Sequence, residues 1–117
     1  MPDVGVIVVG AGNAALAAAV SAQEQGAGRV VVLEKAPTEL RGGNTHYGGI
    51  TFTFGGVRIN DRAQVMSTGW APVAGLYACG EMVGGLFHGN YPGGTGLMSG
   101  AVFGRIAGRS AATFSRA

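Results

Sequence analysis

Two apolar runs with a glycine turn between them dominate the first third of the chain. Val4–Val9 is an unbroken, mostly β-branched run, typical of a strand buried on both faces. Gly10-Ala11-Gly12 interrupts it, and the alanine-rich stretch from Asn13 to about Gln25 predicts a helix that glycines stop. Arg29–Glu34 is a second apolar run that ends in an acid. Strand, turn, helix and strand within about thirty residues predict one βαβ unit.

The hydrophobic period changes in the middle of the chain, after a loop. Apolar and threonine positions alternate over Ile50–Phe54, which predicts a strand with one buried face. Val57–Asn60 and Gln64–Ser67 are predicted to pair across a turn at Asp61-Arg62. A connection then leads to Leu76–Cys79, a short apolar run that predicts another buried strand. The middle of the chain therefore adds a small β-hairpin or meander.

The C-terminal segment predicts one long helix, from about Leu97 to Ala112. Gly100, Gly104 and Gly108 recur on one stripe of this helix. In a membrane such a stripe favours helix dimerisation, whereas in a βαβ protein it lets a helix sit close on a sheet. The pattern as a whole predicts a single domain over residues 1–117. Its class is α/β, a reduced Rossmann-like parallel sheet with helices and a small hairpin.

Composition narrows the function classes. The chain has 117 residues, of which 23 are glycine and only 12% are charged, so it carries a core and few ionic contacts. The net charge of +2 is spread over single residues, which argues against nucleic-acid binding. The lone cysteine, Cys79, forms no internal disulfide, and two histidines without nearby carboxylate or cysteine ligands predict no metal site. No membrane span or signal peptide is expected, and we expect a cytoplasmic protein.

The first motif with chemical meaning is Gly10-x-Gly12-x-x-Ala15. It follows a predicted strand, opens a predicted helix and precedes Glu34 by about twenty residues, as dinucleotide binding requires. Gly10 allows the tight turn, Gly12 lets a diphosphate approach the backbone, and Ala15 permits close packing. We expect the helix N-terminus to attract the diphosphate and Glu34 to accept hydrogen bonds from the ribose hydroxyls. The motif does not distinguish NAD from FAD, and a glycine turn in an unrelated α/β protein is the alternative.

Two further glycine-rich segments are weaker signals. Arg41-Gly42-Gly43-Asn44-Thr45 could present backbone N–H groups to a planar ligand, although on spacing alone a flexible surface loop is the better interpretation. Gly93-Gly94-Thr95-Gly96 precedes the last helix and makes a second helix N-terminus able to stabilise negative charge. A reduced flavin carries such charge on its pyrimidine side. A plain helix start is the alternative for this segment.

Together these segments resemble the FAD-binding domain of the fumarate reductase/succinate dehydrogenase flavoprotein superfamily. The resemblance is strongest to its tricarballylate dehydrogenase-like and 3-ketosteroid dehydrogenase-like branch, through Gly42–Thr45, Gly75–Glu81 and Tyr91–Leu97. It implies non-covalently bound FAD, with Glu34 and Lys35 at the adenosine end, Gly42–Thr45 along the isoalloxazine and Glu81 at the ribityl chain. The full set of cofactor residues that we expect is Gly10, Gly12, Asn13, Ala14, Ala15, Glu34, Lys35, Ala36, Arg41, Gly42, Gly43, Asn44, Thr45, Gly80, Glu81, Gly94, Thr95, Gly96 and Leu97.

The family pattern also has a part that this sequence omits. A long segment with a substrate-capping domain separates the Gly-Gly-Asn-Thr loop from the following strand in the family, whereas His46–Thr51 bridge them here. We therefore expect a minimal, engineered domain, with family segments 1–47 and 50–117 joined near residues 47–50. His88 and Tyr91 match the region where substrate meets flavin and are weak catalytic candidates. The alternatives are a flavin-dependent dehydrogenase or reductase and an NAD-binding module, and the uncapped apolar face favours a homo-oligomer.

Overall fold

The computed structural model describes residues 3–42, 56–87 and 92–117. The predicted strand at 50–54 and the predicted junction at 47–50 lie outside these ranges. Helices and strands follow one another in the order β1, α1, β2, β3, β4 and α2. Their bounds are Val4–Val9 for β1, Asn13–Glu24 for α1, Arg29–Leu33 for β2, Gln64–Met66 for β3, Pro72–Tyr77 for β4 and Thr95–Ser115 for α2.

The predicted βαβ unit is confirmed. β1 and β2 pair in parallel, with Val6 opposite Val30 and Val9 opposite Leu33. Beyond the last pair, the N–H of Gly10 donates to the Leu33 carbonyl at 2.6 Å, so the ladder continues into the glycine turn. Gly10 has φ +108°, which only glycine adopts without strain, and this conformation turns the chain from β1 into α1.

The middle of the chain forms the predicted hairpin and extends it. Ile59 and Val65 form an antiparallel bridge, and the Asn60 Oδ1 atom accepts N–H groups of Arg62 and Gln64 at 3.0 Å each. This side-chain bond is the usual reason for asparagine at the start of a turn. The adjacent strand β4 pairs with β3 in antiparallel fashion. The prediction of a strand at Leu76–Cys79 was therefore misplaced, because pairing with β3 shifts it towards the N-terminus.

Helix α2 packs against helix α1, which corrects the expectation that its glycine stripe faces a sheet. A Cβ atom at Gly104 would collide with the Ala14 carbonyl oxygen, and one at Gly108 with that of Ala18. Gly100 is looser, since its Cβ would lie 3.3 Å from that of Ala14. Alanines on α1 and glycines on α2 thus let the two backbones touch. A hydrogen bond also joins the two helices, since the Ser21 hydroxyl donates to the Arg105 carbonyl at 2.7 Å.

The core that results is thin and built from small side chains. Val6, Ala22, Ala27 and Ala112 form its central cluster, with Ala22 and Ala112 fully buried. No large side chain among the described residues is fully buried, and Val9 is 81% exposed although it belongs to a β-branched strand. The expectation that β1 is buried on both faces is therefore wrong, because the described layers cover only the α-helical side. Within the described ranges, neither helix combines the length and apolarity that a membrane crossing requires.

Candidate functional site

The site begins at the turn between β1 and α1. Gly12 is the N-cap of α1, and its backbone conformation is extended. No side chain caps the helix. The first turn of α1 carries no acidic residue. Backbone N–H groups at the start of a helix have no partner within the helix, and the helix dipole adds partial positive charge there. The arrangement thus favours an anion at the carboxyl end of β1.

Glu34 closes the same edge from the neighbouring strand. One carboxylate oxygen, Oε2, accepts the N–H of Ala11 at 2.8 Å, and the other, Oε1, accepts the N–H of Ala36 at 2.9 Å. The Ala36 bond is the largest cause that lowers the pKa of Glu34 below its ordinary value, and burial opposes the shift. Glu34 is therefore an ionised acceptor held beside the glycine turn. Lys35, the next residue, is exposed to solvent.

A second helix N-terminus lies against the first. Gly94 is the N-cap of α2 with φ +83°, and α2 likewise has neither a side-chain cap nor an acidic residue in its first turn. The side-chain amide of Asn13, at the start of α1, donates to the Leu97 carbonyl in α2 at 2.8 Å. Leu97 is half exposed. Residues 84 positions apart in sequence are thus joined, and two sources of positive potential share one side of the molecule.

The end of β4 reaches the same place. A Cβ atom at Gly80 would lie 3.0 Å from that of Ala14, so Gly80 rests against the first turn of α1 with little room to spare. The thiol of Cys79 contacts the Ala14 carbonyl at 3.7 Å, and burial raises the pKa of this thiol. Glu81 follows and is exposed. Close packing at Ala14 explains why the sequence uses its smallest residues at the point where α1, α2 and β4 meet.

An open groove of about 730 Å³ runs from the glycine turn along α1 and α2. Asn13, Arg41 and Gly42 line its near end, and these are residues that the sequence predicts for the cofactor. The far end was not predicted from the sequence: it is formed by Leu16, Val20, Glu24, Val102 and Arg105. Leu16, Val20 and Glu24 follow one another at i, i+4 spacing on α1, but this pattern carries no signal that they share a groove with residues of α2.

The structure thus brings together the glycine turn, Glu34, Ala36, Gly80 and the start of α2. It leaves other predicted residues undecided, because Gly43–Thr45, His88 and Tyr91 lie outside the described ranges. The described part of the chain holds no group of three His, Cys, Asp or Glu side chains suited to a metal ion. The site is consequently built from backbone N–H groups and one anchored carboxylate.

A parallel strand, glycine turn, helix and strand with a terminal carboxylate define the dinucleotide-binding class of α/β folds. Comparison with protein families makes the class specific. The model of the FAD binding domain family matches residues 5–51 and residues 47–97. The chain therefore belongs to this family, and its cofactor is FAD. This match decides between the two dinucleotides that the glycine motif left open, and it confirms the resemblance identified from the sequence.

Curated relatives point in the same direction. A fumarate reductase of Schizosaccharomyces pombe is 42% identical over 62 residues, which are 53% of this chain and 12% of the relative. A probable fumarate reductase of Shewanella frigidimarina is 47% identical over 64 residues, 55% of this chain and 11% of the relative. A urocanate reductase of Eggerthella lenta is 39% identical over 66 residues, which are 56% of this chain and 11% of the relative. The chain thus matches only about a tenth of each relative's length. No solved structure matches it.

The described residues fit FAD on chemical grounds. A diphosphate needs several N–H donors, and neither helix has a side-chain cap or an acidic residue in its first turn that would compete for them. A ribose needs a hydrogen-bond acceptor, and the Glu34 carboxylate keeps acceptor capacity beyond what its backbone donors occupy. The described residues therefore offer the kinds of donor and acceptor that a dinucleotide requires.

Proposed function

We propose that this chain is a minimal flavoprotein domain that binds FAD without a covalent bond and keeps the flavin redox-active. The observation that best supports this proposal is the Asn13–Leu97 hydrogen bond. It joins two helix N-termini that have no side-chain cap, beside Glu34. FAD, when bound, supplies reversible hydride and electron transfer, which is the chemistry of its isoalloxazine. The protein contributes binding and electrostatic surroundings.

The residues divide the proposed site into two ends. Glu34, with Lys35 and Ala36, would hold the adenosine end, while Gly10, Gly12 and the first turn of α1 would hold the diphosphate. The start of α2, from Gly94 to Leu97, would face the pyrimidine edge of the flavin, with Gly80 and Glu81 at the ribityl chain. Arg41 and Gly42 support this assignment, since they line the groove together with Ala11 and Asn13.

We further propose that the substrate-capping part of the family is absent, with the two family segments joined near residues 47–50. Support comes from the family match, which falls into two pieces, 5–51 and 47–97, that overlap only at residues 47–51. The large exposed fraction of the β1–β2 surface is consistent with missing layers. Reactions of this family need a substrate shielded from water against the flavin, so we expect flavin chemistry without efficient substrate turnover.

The test is a titration of the purified protein with FAD and with FMN, followed by flavin fluorescence and visible absorption. FMN lacks the adenosine half, so we expect it to bind at least about tenfold more weakly, as loss of hydrogen bonds to a charged acceptor implies. Equal affinity for both flavins would refute the assignment of the adenosine end. Bound FAD should also raise the melting temperature, because a ligand at a hundredfold excess over Kd stabilises the fold by about 2.7 kcal/mol.

A second candidate function is a flavin-dependent reductase acting on an unsaturated acid. The names of the relatives, two of them fumarate reductases and one a urocanate reductase, favour it. Steady-state assays with fumarate, tricarballylate and a 3-ketosteroid, using an artificial electron carrier, separate the two candidates. Saturable turnover that His88→Ala or Tyr91→Phe abolishes would establish the enzyme. Absence of turnover, with flavin still reduced chemically and reoxidised in air, would establish the binding domain.

We also propose self-association through apolar surface that the absent layers would otherwise cover. Leu86 is 37% exposed and Phe87 40% exposed, next to the end of the described middle segment. Phe52 and Phe54, which the alternating pattern over Ile50–Phe54 predicts on one strand face, lie outside the described ranges. Light scattering coupled to gel filtration checks this: a monomer at all accessible concentrations would contradict it. Leu86→Ser together with Phe87→Ser should shift an oligomer towards monomer.

A further inference from the structure

Glu34 contacts more than the expected ribose position. Its Oε2 atom accepts the N–H of Ala11, which belongs to the glycine turn and lies 23 residues earlier in the chain. Its Oε1 atom accepts the N–H of Ala36, in the segment that leaves β2. The carboxylate therefore links the turn after β1 to the segment after β2. Neither of these bonds requires a bound nucleotide.

The turn that Glu34 grips would otherwise have wide conformational freedom. Ala11 lies between Gly10 and Gly12, and glycines lose more backbone entropy on ordering than any other residue. The Gly10 N–H is already bonded to the Leu33 carbonyl at 2.6 Å. The Ala11–Glu34 bond fixes the next peptide group and occupies the Ala11 N–H. The N–H groups at the start of α1 have no partner within the helix and no side-chain cap, so they stay available to an anion.

We propose that Glu34 is a positioning residue that holds the glycine turn in its diphosphate-binding conformation before any cofactor arrives. The inference rests on the proposed FAD site, and it adds a second role to the acceptance of ribose hydroxyls. A carboxylate has about four acceptor positions, so the backbone N–H groups of Ala36, Ala11 and Lys35 still leave acceptor capacity for the ribose. Because the turn is already ordered, FAD does not have to supply the cost of ordering it.

The lowered pKa of Glu34 agrees with this geometry, since bonds from Ala36 and Ala11 stabilise the ionised form. The groups around the carboxylate are backbone N–H donors and the charge of Lys35. Protonation would remove acceptor strength from both oxygens at once. The turn should therefore loosen as pH falls through the folded-state pKa of this one group.

The first experiment uses the protein without flavin and follows the amide resonances of Ala11 and Ala36 by NMR during acid titration. We expect both to shift with one shared midpoint, below the ordinary range of a glutamate carboxyl. The Ala27 amide, which donates to the Ala22 carbonyl at 3.1 Å, serves as the control and should not follow that midpoint. An Ala11 resonance that ignores the titration of Glu34 would overturn the proposal, whether or not FAD binds.

The second experiment is a thermodynamic cycle. FAD and an FAD analogue without the 2′- and 3′-hydroxyls of the adenosine ribose are titrated into the native protein and into Glu34→Gln. A role through ribose alone predicts that the variant binds the analogue as tightly as the native protein does, and that result would refute the positioning role. We expect the analogue to bind the variant several-fold more weakly. Asp61→Asn, which removes an equal charge at the exposed hairpin turn, should leave both affinities unchanged.

These outcomes separate the inference from the proposed function. If the native protein fails to bind FAD, the function fails while the amide titration still decides the state of the turn. If FAD binds but the native protein and the variant have the same affinity for the analogue, the proposed function stands and the positioning role is refuted. If Glu34→Gln does not fold, the native amide titration decides alone.

Discussion

The chain contains two strand–glycine–helix units, and the structure treats them differently. In the first, β1, the glycine turn and α1 are followed by β2, and Glu34 anchors the turn through Ala11. In the second, β4 ends at Tyr77, Glu81 is exposed, and α2 begins only at Thr95. The first unit is complete within some thirty residues. The second depends on the first, because α2 is placed by contacts with α1.

The difference shows how one architecture is stabilised in two ways. β1 pairs in parallel with β2, whereas β4 pairs with the short strand β3 in antiparallel fashion. The second unit instead gains its position from backbone contact between two helices, which glycine and alanine make possible. Changes at this contact should thus affect the second unit first, and changes at Glu34 should affect the first.

The largest effect is expected from Gly108→Ala. A Cβ there collides with the Ala18 backbone, which cannot move aside as a side chain can. Overpacking of this kind costs about 1–3 kcal/mol of unfolding free energy, measured by urea denaturation. Gly69→Ala is the matched control, since its Cβ meets nothing nearer than the Ser67 hydroxyl at 3.8 Å. Equal stability of the two variants would show that α2 does not depend on α1.

A smaller effect is expected from Ser21→Ala. Ser21 is 4% exposed and its hydroxyl bonds across the helix contact to Arg105. Loss of one such bond reduces the unfolding free energy by about 1 kcal/mol. Ser99→Ala removes a hydroxyl whose bond, to Gly96, stays within α2, so it should cost less. If both variants lose the same unfolding free energy, the hydrogen bond between the helices stabilises the fold no more than a bond within one helix.

Asn13→Ala tests whether the two helix N-termini cooperate. Without the bond to Leu97, the start of α2 should be held less firmly, and FAD affinity should fall about two- to fivefold. ADP engages only the first unit, so its affinity should change by less than about twofold. Gln23→Ala, an exposed change on the same helix, is the control. An equal loss for ADP and FAD would place the effect in the first unit alone.

The smallest effect is the pH dependence contributed by Glu34, because partial exposure to solvent screens its charge. Its pKa is lowered in the folded state, so it stabilises the fold above the unfolded pKa and loses that contribution as pH falls through the folded pKa. The stability difference between the native protein and Glu34→Gln should therefore be largest above about pH 5 and disappear in stronger acid. A difference that grows on acidification would have the wrong sign.

Much of the first unit is predictable from its residues. The β-branched runs, the glycine turn and the alanine-rich helix gave β1 without error and α1 within a residue, because each pattern is local. The dinucleotide motif and Glu34 are also local, being contained in one βαβ unit. The predicted strand at Leu76–Cys79 failed for the opposite reason, since its bounds depend on pairing with β3.

The sequence pattern did not predict the contacts between distant segments. Nothing in the stripe of Gly100, Gly104 and Gly108 distinguishes a sheet from a helix as its neighbour, since both accept a close approach. Ser21–Arg105 and Asn13–Leu97 join residues 84 positions apart, through single polar side chains that leave no periodic signal. The groove along α1 and α2 exists only because those contacts hold the helices together.

The amino-acid sequence by itself determined the class of fold, the dinucleotide motif and the family resemblance, because these depend on short-range patterns of glycine, alanine and β-branched residues. Tertiary structure alone decided that α2 packs on α1, that two helix N-termini meet at Asn13, and that the Glu34 carboxylate holds the turn at Ala11. The physical reason is that such contacts depend on the path of the whole chain. A side chain's partner is set by what the fold brings within about 3 Å of it.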